Sequence, residues 1–207
     1  AVAMTIFRDI SFNFGFGFRP AAVAVGLMSI VVVFAACGGA RSNSSDVVFS
    51  ADADGNVNIF RMDSDLGNPI RITSAVGRDF APAWSPNKEQ IAFLSDRNGA
   101  AALWVTDALG ESKRQVTRAG AEVSAFRWSP DSSRIGVEIV EGGSRFIEVL
   151  DTETGDSVDL TSRSEDVRIG DWSPDGEWIV YSAVAGEDGG IRRRNPTGVD
   201  EITLTVN

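Results

Sequence analysis

The chain has 207 residues, 43% of them hydrophobic and 23% charged, a balance that supports one large core or several small packed units and excludes disorder as the default state. Its formal net charge of −10 argues against nucleic acid as a partner, because phosphate binding needs concentrated Lys and Arg. With no histidine and one cysteine, the chain can assemble neither Ser-His-Asp nor Cys-His hydrolysis, nor a His-ligated metal site, nor an intrachain disulfide.

The first 45 residues read as an address. Met4 offers a start, and Arg8 and Arg19 precede a run from Ala21 to Ala36 that has no charged side chain. A basic lead, an apolar core and small residues at its end describe a secretory signal over 1–36. Sixteen apolar residues fall short of the roughly 20 needed to cross a bilayer as an uncleaved anchor. The run ends Phe34-Ala35-Ala36-Cys37-Gly38-Gly39. This resembles the bacterial lipobox, with Phe34 in place of the usual aliphatic residue. The resemblance implies that Cys37 is lipidated and becomes the mature N-terminus. Residues 37–45 then form a lipidated cysteine and a flexible Gly/Ser-rich tether. The chain is accordingly expected in the cell envelope, lipid-anchored on a periplasmic or outer-surface face.

From residue 46 onward one period organises everything. Trp84-Ser85-Pro86, Trp128-Ser129-Pro130 and Trp172-Ser173-Pro174 recur every 44 residues. Ile72-Thr73, Val116-Thr117, Leu160-Thr161 and Leu204-Thr205 hold the same offset, as do Asp63, Asp107, Asp151 and Asn195. Such a period marks a repeat array. Within the last copy, Arg168–Ser173, Trp178–Ser182, Ile191–Asn195 and Glu201–Val206 read as strands, separated by turns such as Pro174-Asp175-Gly176. Four short strands per unit with no helical stretch predict an all-β fold. Units of this kind hide their apolar faces by stacking on each other, and radial stacking gives a β-propeller. Trp84, Trp128 and Trp172, with Pro86, Pro130 and Pro174, are expected to be structural, the indoles packing between blades.

The succession W-S-P-D-G, an I-A-F strand, an S-D-R-N-G turn, an L-W-V-x-D strand and a closing L-T resembles the TolB-like (WD-like) propeller repeat. Its fullest copy is FAPAWSPNKEQIAFLSDRNGAALWVTDALGESKRQVT at 80–117. Asn87-Lys88-Glu89 and Ser132 depart from the usual Asp-Gly at the turns. The copies divide as 46–79 (partial, beginning at the second strand), 80–123, 124–167 and 168–207. About 3.75 blades are therefore expected, either as a fragment of a larger ring, which the family resemblance puts at six blades, or as an unusual four-bladed ring; the fragment is the preferred reading.

Residues with candidate chemistry mostly reduce to turns. Asp52-Ala53-Asp54-Gly55-Asn56 lacks the glycine position of a calcium loop and aligns with the hairpin Ser95–Gly99. Arg192-Arg193-Arg194 replaces hydrophobic residues in a third strand and reads as a solvated edge rather than an anion site. The hydroxyls of 161–164 have no base partner. No catalytic residue, metal or cofactor is expected. Recognition on a repeated scaffold lives in its variable loops, here 74–79, 118–123 and 162–167. They nominate Arg78, Glu122, Glu165 and Asp166 for contact with a polar protein partner. The expected role is a non-enzymatic protein-binding or scaffold propeller. The alternatives are an accessory or gating propeller of a larger prolyl-oligopeptidase-like hydrolase and a carbohydrate-binding propeller.

Overall fold

The computed structural model describes residues 46–62, 67–183 and 189–205. The signal, Cys37, the tether and the repeat marker Asp63 lie outside them. Among the described residues there is no helix, and fifteen strands form four antiparallel sheets. The first has three strands, β1 (Val47–Ala53), β2 (Asn56–Met62) and β3 (Ile70–Arg71). The second holds β4 (Asp79–Trp84), β5 (Gln90–Ser95), β6 (Ala102–Asp107) and β7 (Arg114–Gln115). The third holds β8 (Glu122–Trp128), β9 (Arg134–Glu141), β10 (Ser144–Asp151) and β11 (Ser157–Asp159). The fourth holds β12 (Val167–Trp172), β13 (Ile179–Ala183), β14 (Gly190–Arg194) and β15 (Glu201–Thr203). In each sheet spatial order follows chain order. These are propeller blades, and among the described residues the first has no counterpart of the innermost strand of the others. Strand ends fall a residue or two from the sequence expectation, and β15 is shorter than Glu201–Val206.

Each repeat marker has a local reason. After the tryptophan, the serine hydroxyl closes a tight turn from both sides. Ser129 Oγ donates to Asp131 Oδ1 and accepts from the Arg134 amide at 2.9 Å, and Ser85 and Ser173 repeat the pattern with Asn87/Gln90 and Asp175/Trp178. The turn places one residue in the left-handed region: Lys88 at φ 65°, Ser132 at 66° and Gly176 at 73°. Only glycine adopts that region without steric cost. The Asp107 carboxylate accepts from the amides of Leu109, Glu111 and Ser112 and from the Ser112 hydroxyl, which holds its pKa far below the ordinary range, the hydroxyl contributing most. Asp151 does the same with Glu153 and Thr154, and Asn195 with Val199. These are Asx-type turns between third and fourth strands.

The closing threonine completes the sheet. Its Oγ1 accepts from the third-strand amide 14 residues earlier: Thr73 from Ile59 at 2.9 Å, Thr117 from Leu103 at 3.2 Å, Thr161 from Ile147 at 2.9 Å and Thr205 from Ile191 at 3.0 Å. The fourth strand has too few ladder bonds to satisfy that amide, so a side chain supplies the acceptor.

Sheets stack in sequence, first on second, second on third, third on fourth. The junctions are apolar. Val48, Ile59 and Phe93 fill the first, Val105, Phe126 and Phe146 the second, and Ile147, Ile169 and Tyr181 the third. An indole crosses each one. Trp84 Nε1 donates to the Asp46 carbonyl at 3.1 Å, Trp128 Nε1 to Ala83 at 3.3 Å, and Trp172 Nε1 to Arg127 at 3.1 Å. Trp128 and Trp172 are buried, and burying a side chain of that size contributes at most about 4–6 kcal/mol.

Two outcomes follow. Thr161→Val leaves the buried Ile147 amide without an acceptor and is expected to lower the unfolding free energy by about 1–3 kcal/mol, whereas Thr161→Ser keeps most of it; urea denaturation midpoints separate the two. Lys88→Gly relieves the left-handed strain and is expected to stabilise by about 0.5–1 kcal/mol. Ser132→Gly gains the same relief but loses the Ser132 Oγ that accepts from the Asn87 amide at 3.0 Å across the second junction. Thermal unfolding should therefore show a rise for the first variant and none for the second.

Candidate functional site

The meander sends two sets of connections to opposite ends. Turns between first and second strands, and between third and fourth, share one end. The interblade loops share the other with the turns between second and third strands.

At the turn end, sheets two and three enclose an open polar groove of about 460 Å³ bordered by Glu89, Arg114, Asp131, Ser132 and Glu153. Its groups are largely engaged. Arg114 donates to the Thr152 carbonyl. Asp131 is held below the ordinary carboxylate range: burial acts against this, but the Ser129 hydroxyl and the Ser133 amide outweigh it. In each turn the serine hydroxyl donates to an asparagine or aspartate oxygen and accepts a backbone amide, which locks the turn. Among the described residues no group of His, Cys, Asp and Glu could hold a metal ion.

The loop end is more elaborate. Between sheets one and two, Arg78 donates through its amide and Nε to Asp96 at 2.6 and 2.7 Å, and that guanidinium chiefly holds the Asp96 carboxyl below its usual range. The next residue of the turn, Arg97, reaches back to the fully buried Asp79 at 2.8 Å and lies 4.2 Å over the Trp104 ring. Loop and turn thus clasp each other twice. Gly77 permits the approach: at φ 98° a Cβ there would stand 2.7 Å from the Arg97 Cα.

The second and third interblade loops meet on carboxylates. Arg118, from the loop before β8, donates to Glu141 at 3.0 Å and stands 3.8 Å from Glu148. Arg163, from the loop before β12, donates to Glu141 at 3.1 Å, Glu148 at 3.2 Å and Asp159 at 3.1 Å, with its guanidinium 4.5 Å over Phe146. Glu148 is only 3% exposed; burial raises its pKa, and Arg118 and Arg163 oppose the rise. On the other face of the sheet, Glu138 accepts from Ser124 Oγ at 2.7 Å and the Ile169 amide at 2.9 Å.

All four sequence candidates lie at this end, in three different loops rather than one cluster. Arg78 is 66% exposed along its side chain despite the clasp. Glu122 opens β8, exposed and, among the described residues, without an ion pair. Asp166 is engaged with Arg145 at 3.1 Å and Arg168 at 3.3 Å. Glu165 is half-buried, with one carboxylate oxygen enclosed. Sequence reasoning missed Arg118, Glu141, Glu148 and Arg163. A signal existed: Glu148 and Glu138 occupy positions held by Trp104 and Leu94 one repeat earlier. A charge that replaces an apolar residue of the preceding copy and is buried requires a partner.

No curated protein sequence matches the chain. Among solved structures the fold is similar to putative TolB from Agrobacterium tumefaciens, with TM-score 0.64 and 16% identity over 78% of this chain and 61% of that one. It is also similar to TolB from Acinetobacter baumannii, with TM-score 0.58 and 22% identity over 72% and 37%. A third is oligogalacturonate lyase from Vibrio parahaemolyticus, with TM-score 0.64 and 12% identity over 77% and 49%. The chain spans less than two thirds of the length of each, and identities this low establish a shared fold alone. The family model of the TolB beta propeller domain matches residues 27–206, and the chain therefore belongs to that family.

Proposed function

We propose that the chain is a non-enzymatic propeller module, exported and lipid-anchored through Cys37, that binds a protein partner at the loop end of its blades. The observation that carries this reading is the convergence of Arg118 and Arg163, from two separate loops, on Glu141 and Glu148. Loops fixed in this way lose little conformational freedom when a partner arrives. Arginine held in place and still part-exposed is also the residue type enriched in interface hot spots. Arg78, Arg118, Glu122 and Arg163 would make the contacts, with Glu165 and Asp166 bracing the third loop. The turn end is a poorer surface for recognition, since carboxylates such as Asp107, Asp151 and Asp175 spend their acceptors on their own turns. The non-enzymatic part of the reading draws on the absence of histidine from the chain.

Two measurements test it. A photo-crosslinking residue placed at Glu122 or Arg118 in cells is expected to yield a protein adduct, and one at Glu153 or Glu177 is not. Arg118→Ala combined with Arg163→Ala should reduce the Glu122 adduct about tenfold, the loss of a hot spot worth roughly 1–2 kcal/mol. Adducts confined to the turn end would remove the proposed surface. For the anchor, Cys37→Ser is expected to abolish fatty-acid incorporation and move the chain from the membrane to the soluble fraction; unchanged labelling would rule out lipidation at Cys37.

A further inference from the structure

Two carboxylates of the third sheet lie away from water, and they are held in different ways. Glu138 has fixed partners on strands, Ser124 Oγ at 2.7 Å and the Ile169 amide at 2.9 Å, besides Arg145 and Arg168. Among the described residues Glu148 is met by guanidiniums alone, Arg163 at 3.2 Å and Arg118 at 3.8 Å. Each of these comes from a different interblade loop, Arg118 from 118–123 and Arg163 from 162–167. One buried carboxylate thus tethers both loops.

The charged groups that face Glu148 are Arg118, Glu141, Asp159 and Arg163. Asp159 is its direct cross-strand partner between β10 and β11, where like charges oppose each other. Glu141 binds the same two arginines at 3.0 and 3.1 Å. Three carboxylates therefore share two guanidiniums, and the surplus negative charge falls hardest on the member that water cannot reach. Burial is the main cause that raises the Glu148 pKa; Arg118 and Arg163 oppose the rise, and Asp159 and Glu141 add to it. Loss of that charge acts unequally on the two loops. Arg163 keeps Asp159 through Nε and Nη2, each at 3.1 Å, and its place over Phe146. The Arg118 guanidinium keeps only Glu141, which is 55% exposed along its side chain, and exposed pairs hold little.

We infer that Glu148 is a proton-operated latch on the loop end: when its carboxylate takes a proton, Arg118 lets go and 118–123 becomes mobile, while 162–167 stays in place. The fold itself is not lost in the process. A folded-state pKa above the unfolded one means that the fold binds this proton more tightly. The stabilisation from that proton is complete below the unfolded pKa and is lost as pH rises through the folded one. Acid therefore opens the latch while this one group favours the folded state. Glu122 lies on the released segment, so a partner docked there binds more weakly in acid; that consequence alone rests on the proposed loop-end partner.

Hydrogen exchange of the full chain in detergent, corrected for the intrinsic effect of pH and read at both loops, tests the latch without any partner. From neutral to mildly acid pH, amides of 118–123 are expected to exchange roughly fivefold faster or more, and those of 162–167 to change little. Glu148→Gln, which keeps the shape and removes the charge, should show the fast exchange at neutral pH already and respond no further to acid. Glu153→Gln at the turn end should respond as the wild type does. Circular dichroism verifies the β-fold of each variant. As pH falls, the difference in unfolding midpoint between wild type and Glu148→Gln should move in favour of the wild type. The crosslinked adduct at Glu122 should weaken in acid for the wild type and be indifferent to pH for Glu148→Gln; no adduct at any pH, with the exchange response intact, removes the partner and leaves the latch. Exchange of 118–123 that ignores pH in the wild type, or a folded Glu148→Gln chain that keeps the full response, overturns it.

Discussion

A sheet of four short strands has two apolar faces and no way to cover either by itself, so the fold rests on the contact that joins one sheet to the next. Here that contact is an indole whose N–H reaches the preceding inner strand, or the start of the described chain in the case of Trp84. Tryptophan suits the place because it combines a large apolar body with one donor. Phenylalanine would fill the space but leave the carbonyl unanswered. The floor beneath the indole narrows from Val48 to Ala92 to Gly136. At Gly136 a Cβ would stand 2.9 Å from Ile169 Cδ1 and 3.5 Å from the Trp172 ring nitrogen. The third junction is thus built around the missing side chain.

Where a strand carries a buried charge, its neighbours compensate. Glu138 and Glu148 bring carboxylates to nearly buried positions, and an unpaired charge there would be costly. Arg118 and Arg163 from the neighbouring loops pair with Glu148, while Glu138 is met from strands by Ser124, Arg145 and the Ile169 amide, so satisfying Glu148 ties two loops together at the loop end. Arg192 and Arg194 follow the same rule with Glu201, whose carboxylate also accepts from the Tyr181 hydroxyl. Sequence reading took this arginine run as a solvated edge. Its outer two members instead bridge to β15, and Arg193 covers Trp178.

The blades were legible in the sequence because each marker answers a backbone need that recurs at every copy. The tryptophan joins sheets, the serine and aspartate close turns, and the threonine caps a third-strand amide. Those needs are local or nearest-neighbour, so periodicity exposes them. The loop-end network was not legible, since it depends on side chains from different copies meeting in space. Arg118 and Arg163 occupy non-equivalent positions, and no offset of 44 relates them. All four nominated residues, Arg78, Glu122, Glu165 and Asp166, rest on loop variability, and Asp166 is engaged by Arg145 and Arg168.

The strictly sequential stacking of the sheets has a thermodynamic corollary. Among the described residues no contact spans from the first sheet to the third or from the second to the fourth at more than a marginal level, so these sheets behave as coupled neighbours in a repeat array. The second and third sheets are each held from two sides among the described residues, and backbone amides of β9 and β10 are expected to exchange slowly with solvent.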